Sequence, residues 1–144
     1  MVEQDTVKLL RECDAGVEMG IKSIDDVLDS VKSTEFKEYL VKCREEHERL
    51  KHEIGQKLDE CGDDGKEPSA VARTMSWMKT NMKLGMHDSD HTVADLMTDG
   101  CNMGIKSLSK YLNQYKAAEE DAKDITKRLI ATEEQLAKDM RGFL

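Results

Sequence analysis

Gly16-Val-Glu-Met-Gly-Ile-Lys-Ser-Ile24 returns later in the chain as Gly100-Cys-Asn-Met-Gly-Ile-Lys-Ser-Leu108. Met19 to Ser23 match Met103 to Ser107 residue for residue, and Leu28 then falls against Leu112. The segments that follow also superpose in pattern. Tyr39, Cys43, Leu50 and Ile54 fall against Ile125, Leu129, Leu136 and Met140. A duplicated unit of two helices is the simplest reading, because one hairpin alone cannot bury its apolar stripe and two together can. The repeat therefore predicts two helix hairpins closing into one four-helix bundle.

Working outward, apolar residues recur at steps of three and four along nearly the whole chain. Leu10, Cys13, Val17, Ile21, Ile24, Leu28 and Val31 mark a first helix. Ser33-Thr34 is a helix-start pair, after which Phe36, Leu40, Cys43, His47, Leu50, Ile54, Leu58 and Cys61 mark a second. Gly62-Asp63-Asp64-Gly65 is the clearest stop. Pro68 suits the first turn of a crossover helix carrying Val71, Met75, Met78, Met82 and Met86. Asp88, Ser89 or Asp90 caps the next helix, whose stripe is Val93, Met97, Cys101, Gly104, Leu108, Tyr111 and Tyr115. A last helix from about Ala117 carries Ala122, Ile125, Leu129, Leu136, Met140 and Phe143. No run alternates with period two, so the fold class is all-α. A single domain over residues 1–144 is expected, with hairpin 1 at about 4–62, the short crossover helix at about 68–87 and hairpin 2 at about 89–143.

Composition agrees. The 144 residues are 36% charged and 4% aromatic, with one proline, and this mix favours amphipathic helices over sheet. Lys and Arg number 22 against 30 Asp and Glu, a net charge of -8, which makes nucleic acid and anionic membrane surfaces poor partners. No apolar run approaches the roughly 18–20 residues needed to span a bilayer. The opening Met-Val-Glu-Gln-Asp-Thr lacks the basic and apolar regions of a signal peptide, so a cytoplasmic location is expected. Cys13, Cys43, Cys61 and Cys101 are widely spaced and form no zinc-finger pattern. They read as reduced thiols buried as small hydrophobes.

Gly16 and Gly20, like Gly100 and Gly104, stand four apart in helix interiors, where each costs about 1 kcal/mol. Close approach of the two repeated helices at these glycines is the expected reason.

Two repeated hairpins with a long connection between them resemble the ferritin-like fold. Ser76-Trp77-Met78, Asp88-Ser89-Asp90-His91 and Met103-Gly104-Ile105 are similar to stretches of small ferritin-like proteins of anaerobic Gram-positive bacteria. The resemblance covers the whole chain at the level of architecture. It implies an up-down four-helix bundle and carries over no activity.

Ferritin-like di-iron sites take a Glu from each of two helices and a Glu-x-x-His from each of the other two. This chain has no Glu-x-x-His: Arg44 precedes His47 and Arg49 precedes His52 at the required spacing. Glu18 of the first repeat becomes Asn102 in the second, and Glu18 lies about 100° from the centre of its apolar stripe. The standard site is absent or degenerate. His47 is the exception, since it sits on the apolar stripe with Glu133 at the matching position of the second copy. A buried His47–Glu133 pair is expected either as a structural polar contact, the preferred reading, or as half of a metal site with Glu18. His87, His91 and Asp95, spaced four apart, are the other candidate ligands for a divalent ion such as iron, manganese or zinc. Against them, Gly85 and the Asp88-Ser89-Asp90 cluster break the helix between the histidines, and the metalloprotease His-Glu-x-x-His is missing.

Met75, Met78, Met82, Met86, Met97 and Met103 concentrate in the crossover and the helix after it, and read as filling for an irregular core. Trp77 and Leu84 lie on the opposite side of the crossover helix, and a helix apolar on two sides predicts a homodimer contact there. No phosphate loop, nucleophile elbow or Ser/His/Asp set is present. Lys22 and Lys106, alike in the two repeats, read as snorkelling side chains. The expectation is a non-catalytic bundle with no cofactor, acting through self-association or a protein partner. Its alternative is a metal-binding bundle with a non-standard site.

Overall fold

The computed structural model describes residues 3–62 and 89–144. Among these the chain forms four helices and no strand: α1 (Gln4–Leu28), α2 (Thr34–Glu60), α3 (Asp90–Gln114) and α4 (Glu120–Met140). The expected crossover helix at about 68–87, with Trp77, Leu84 and His87, lies outside the described residues.

The helix ends follow local chemistry. Ser33 caps α2 by accepting a hydrogen bond from the Phe36 amide, and Ser89 caps α3 by accepting from the Thr92 amide. Just beyond α2, Gly62 takes φ +74°, the left-handed conformation that closes a helix C-terminus at glycine. The last helix starts at Glu120 rather than about Ala117, because Tyr115 to Ala118 form a turn closed by the Ala118 amide on the Tyr115 carbonyl.

Short loops make α1–α2 and α3–α4 antiparallel hairpins, and these are the tightest pairings among the described helices. α1 and α4 each pack on all three other helices, while α2 and α3 take opposite flanks. The apolar stripes meet in two clusters. One gathers Ile24, Phe36, Leu40, Met97, Leu136 and Met140, and is closed at its end by Phe143 stacked on Phe36 with ring centroids 4.1 Å apart. The other gathers Leu9, Val17, Ile54, Leu108, Ile125 and Leu129.

Each hairpin also clasps the loop of the other. Asp90, at the start of α3, accepts from the Lys32 and Ser33 amides in the α1–α2 loop at 2.7 and 3.1 Å. Asp5 and Thr6, at the start of α1, accept from the Ala117 and Glu119 amides in the α3–α4 loop at 3.1 and 2.8 Å. The exchange is reciprocal, as a twofold duplication requires. Loop amides at a helix start have no intrahelical acceptor, so these side chains satisfy groups that would otherwise need water. Asp90→Ala removes two charge-assisted acceptors from one clasp. It is expected to lower the unfolding free energy by about 1–2 kcal/mol, measured by urea denaturation.

Candidate functional site

One polar pair lies between the two apolar clusters. His47 projects from α2 into the bundle and is 0% exposed; Glu133 meets it from α4 and is 9% exposed. Both occupy stripe positions that hydrophobic residues would ordinarily fill: Cys43 and Leu50 flank the histidine, Leu129 and Leu136 the glutamate. Nε2 of His47 lies 2.7 Å from Oε1 of Glu133, and Nδ1 lies 2.7 Å from the Cys43 carbonyl oxygen one turn back. Both ring nitrogens therefore face acceptors.

This geometry dictates the proton inventory. A carbonyl oxygen only accepts, so Nδ1 carries a hydrogen and donates it. Nε2 then needs a proton between itself and the carboxylate, because a bare lone pair facing Oε1 would be repelled. Burial pulls His47 down, but the hydrogen bond and charge of Glu133, the Cys43 carbonyl and the charge of Glu46 outweigh it and leave the imidazole above its ordinary 6.5. The pair shares one buried proton between Nε2 and Oε1. Among the described residues no buried side-chain nitrogen or oxygen lacks a partner.

The repeated glycines make room for it. A Cβ on Gly20 would stand 2.7 Å from Cδ2 and 2.9 Å from Nε2 of His47. The ring lies where a side chain on α1 would be, so α1 needs glycine at this point. Gly104, the repeat equivalent, faces Glu133 more loosely: its Cβ would lie 3.9 Å from Oε2. Gly16 would meet the Leu108 and Leu129 side chains at 3.9 Å. The expected close approach of α1 to α3 is thus corrected in its detail. The two helices do pack together, but Gly20 accommodates the second helix of its own hairpin, and so does Gly104.

Two thiols adjoin the pair. Burial and the neighbouring Glu133 push Cys101 far above the usual thiol range, and burial lifts Cys43 to about 11. Cys13, against the Thr126 hydroxyl at 3.1 Å, is raised to about 11, again chiefly by burial. Such thiols stay protonated and are poor nucleophiles. Cys61 departs from the expected burial: it sits half-buried at the end of α2.

The other candidate ligands lie on α1 and α3 where they are described. His91 and Asp95 are exposed on α3, with Nδ1 of His91 3.1 Å from the Phe143 carbonyl, and His87 lies outside the described residues. Glu18 is half-buried on α1. Among the described residues no three His, Cys, Asp or Glu side chains are grouped so as to hold a metal ion. Nor is any helix among them long and apolar enough to cross a membrane.

The described residues form an all-α four-helix bundle. The chain matches no family model, no curated protein and no solved structure.

Reading the sequence alone finds His47 and Glu133 because both interrupt apolar stripes at equivalent repeat positions. The reciprocal loop clasps go unseen, since Asp5, Thr6 and Asp90 look like ordinary helix-start residues. The Cys43 carbonyl leaves no mark in sequence as the acceptor that fixes the imidazole.

Proposed function

We propose that the chain is a non-catalytic bundle of ferritin-like architecture that acts by contact with another protein chain, its own copy included. Two antiparallel hairpins, with residues 61–89 running between the second and third described helices, support the ferritin-like reading. The observation that carries the non-catalytic reading is the closure of His47: the Cys43 carbonyl and Glu133 engage both ring nitrogens. A metal ligand needs an open nitrogen, and while these two contacts hold neither nitrogen of His47 is open. The centre where a ferritin-like bundle would keep its ions is then a structural contact. For the self-contact we retain Trp77 and Leu84, the two apolar residues that the sequence sets apart from the methionine stripe.

Protein purified without a histidine tag should carry no stoichiometric iron, manganese or zinc by elemental analysis. In sedimentation it should dimerise below the high micromolar range, and Trp77→Ala with Leu84→Ala should shift it to monomer. One equivalent of metal that disappears in His47→Ala would overturn the structural reading of the pair and establish the alternative, a metal-binding bundle. A monomer at high micromolar concentration would overturn the self-association.

A further inference from the structure

A cavity of about 100 Å³ opens between α1 and α3 and is floored by α4. Met19, Met103, Leu108 and Leu129 give it apolar walls, and Met103, 39% exposed, carries it to the surface. Gly16 and Gly104 form part of the lining, and the missing side chains at these two positions leave the space open. The charged groups among its described lining are both carboxylates, Glu12 and Glu133, with no lysine, arginine or histidine between them.

Glu133 is the decisive group. It is a nine-tenths-buried carboxylate, and its Oε1 is fixed on His47 at 2.7 Å. Its Oε2 lies on the Gly104 side, 3.9 Å from where a Cβ would stand, and the carboxylate also accepts from the Cys101 thiol. We propose that this cavity is a binding site for a small apolar molecule bearing an ammonium group, with the hydrocarbon body on the methionine and leucine wall and the ammonium on Oε2 of Glu133.

Charge selects the class. A carboxylate or phosphate ligand would set its own charge against the Glu133 carboxylate in a partly desolvated space. A neutral hydrocarbon would bury Glu133 further and bring it no donor. An ammonium adds a charge-assisted hydrogen bond, and the carboxylate then bridges His47 and the ammonium through its two oxygens. Size selects within the class. Dry engineered cavities of about 150 Å³ hold benzene, so this smaller, open one suits a compact alkylamine. Flexible methionine walls adapt to such a body at little cost.

The test is titration of the full chain with cyclopentylamine and, separately, cyclopentanol, followed by NMR shifts of the Met19 and Met103 methyls. The amine should saturate by about 10 mM and bind at least about tenfold more tightly than the alcohol. Glu133→Gln should abolish that preference. Gly104→Ala keeps Glu133 and sets a methyl 3.9 Å from Oε2; with its helical signal intact it should bind the amine at least about fivefold more weakly. No saturation by about 50 mM, equal binding of the alcohol, or undiminished binding by Gly104→Ala would overturn the proposal.

Discussion

Gly20→Ala is expected to destabilise the protein by about 2–3 kcal/mol, although alanine is the better helix former by about 1 kcal/mol. The new methyl would stand 2.7 Å from the His47 ring. That ring is held at both nitrogens, so it cannot swing aside without breaking a buried hydrogen bond. The equivalent change in the second repeat has the opposite sign. At Gly104 a methyl meets Glu133 at 3.9 Å, ordinary van der Waals contact among the described residues, and Gly104→Ala should stabilise by up to about 1 kcal/mol. Urea melts of the two variants beside the parent separate the cases. Equal effects would show that Gly20 owes nothing to the histidine.

Glu133→Leu is expected to cost about 3 kcal/mol, because it leaves His47 buried with one polar end unsatisfied. Substituting His47→Leu together with Glu133→Leu should recover most of that loss, since an apolar pair of similar volume needs neither desolvation nor a shared proton. The non-additivity in a double-mutant cycle measures the coupling. pH supplies an independent signature. The folded protein holds the His47 proton above the ordinary 6.5, so it binds that proton more tightly than the unfolded chain does. The resulting stability is whole below about pH 6.5 and is lost as pH rises through the raised value, by about 1.4 kcal/mol for each unit of displacement. Glu133 from α4 and Glu46 from α2 are the charges that hold it there, with Cys101 from α3 a neutral thiol. In Glu133→Gln the amide donates to a neutral ring, and this slope should flatten.

The helices were legible because their stripes are regular. Ser33, Ser89 and Gly62 marked boundaries by chemistry that needs no tertiary context. The start of α4 was misplaced by a few residues because Ala117 and Ala118 are good helix formers held in a turn. Their turn is fastened from outside, by Asp5 on the Ala117 amide and Thr6 on the Glu119 amide. The His47–Glu133 pair was legible through the repeat, since two stripes broke at matching positions. The role of Gly20 was only half legible: a small residue in a helix signals a close neighbour but does not say which. Sequence phase put the partner helix at α3; the coordinates put the His47 ring of α2 there instead. Of the set His87, His91 and Asp95, the latter two are exposed on α3 and His87 lies outside the described residues.

Nitrogen-15 NMR of the His47 imidazole addresses the proton inventory at the centre of the bundle. At pH 6.5 both ring nitrogens should appear protonated, the Nε2 proton coupled to the Glu133 carboxylate, and half-titration should fall above 6.5 in the parent and below it in Glu133→Gln. A ring that is neutral at pH 6.5 in the parent, with a free lone pair on either nitrogen, would contradict the account.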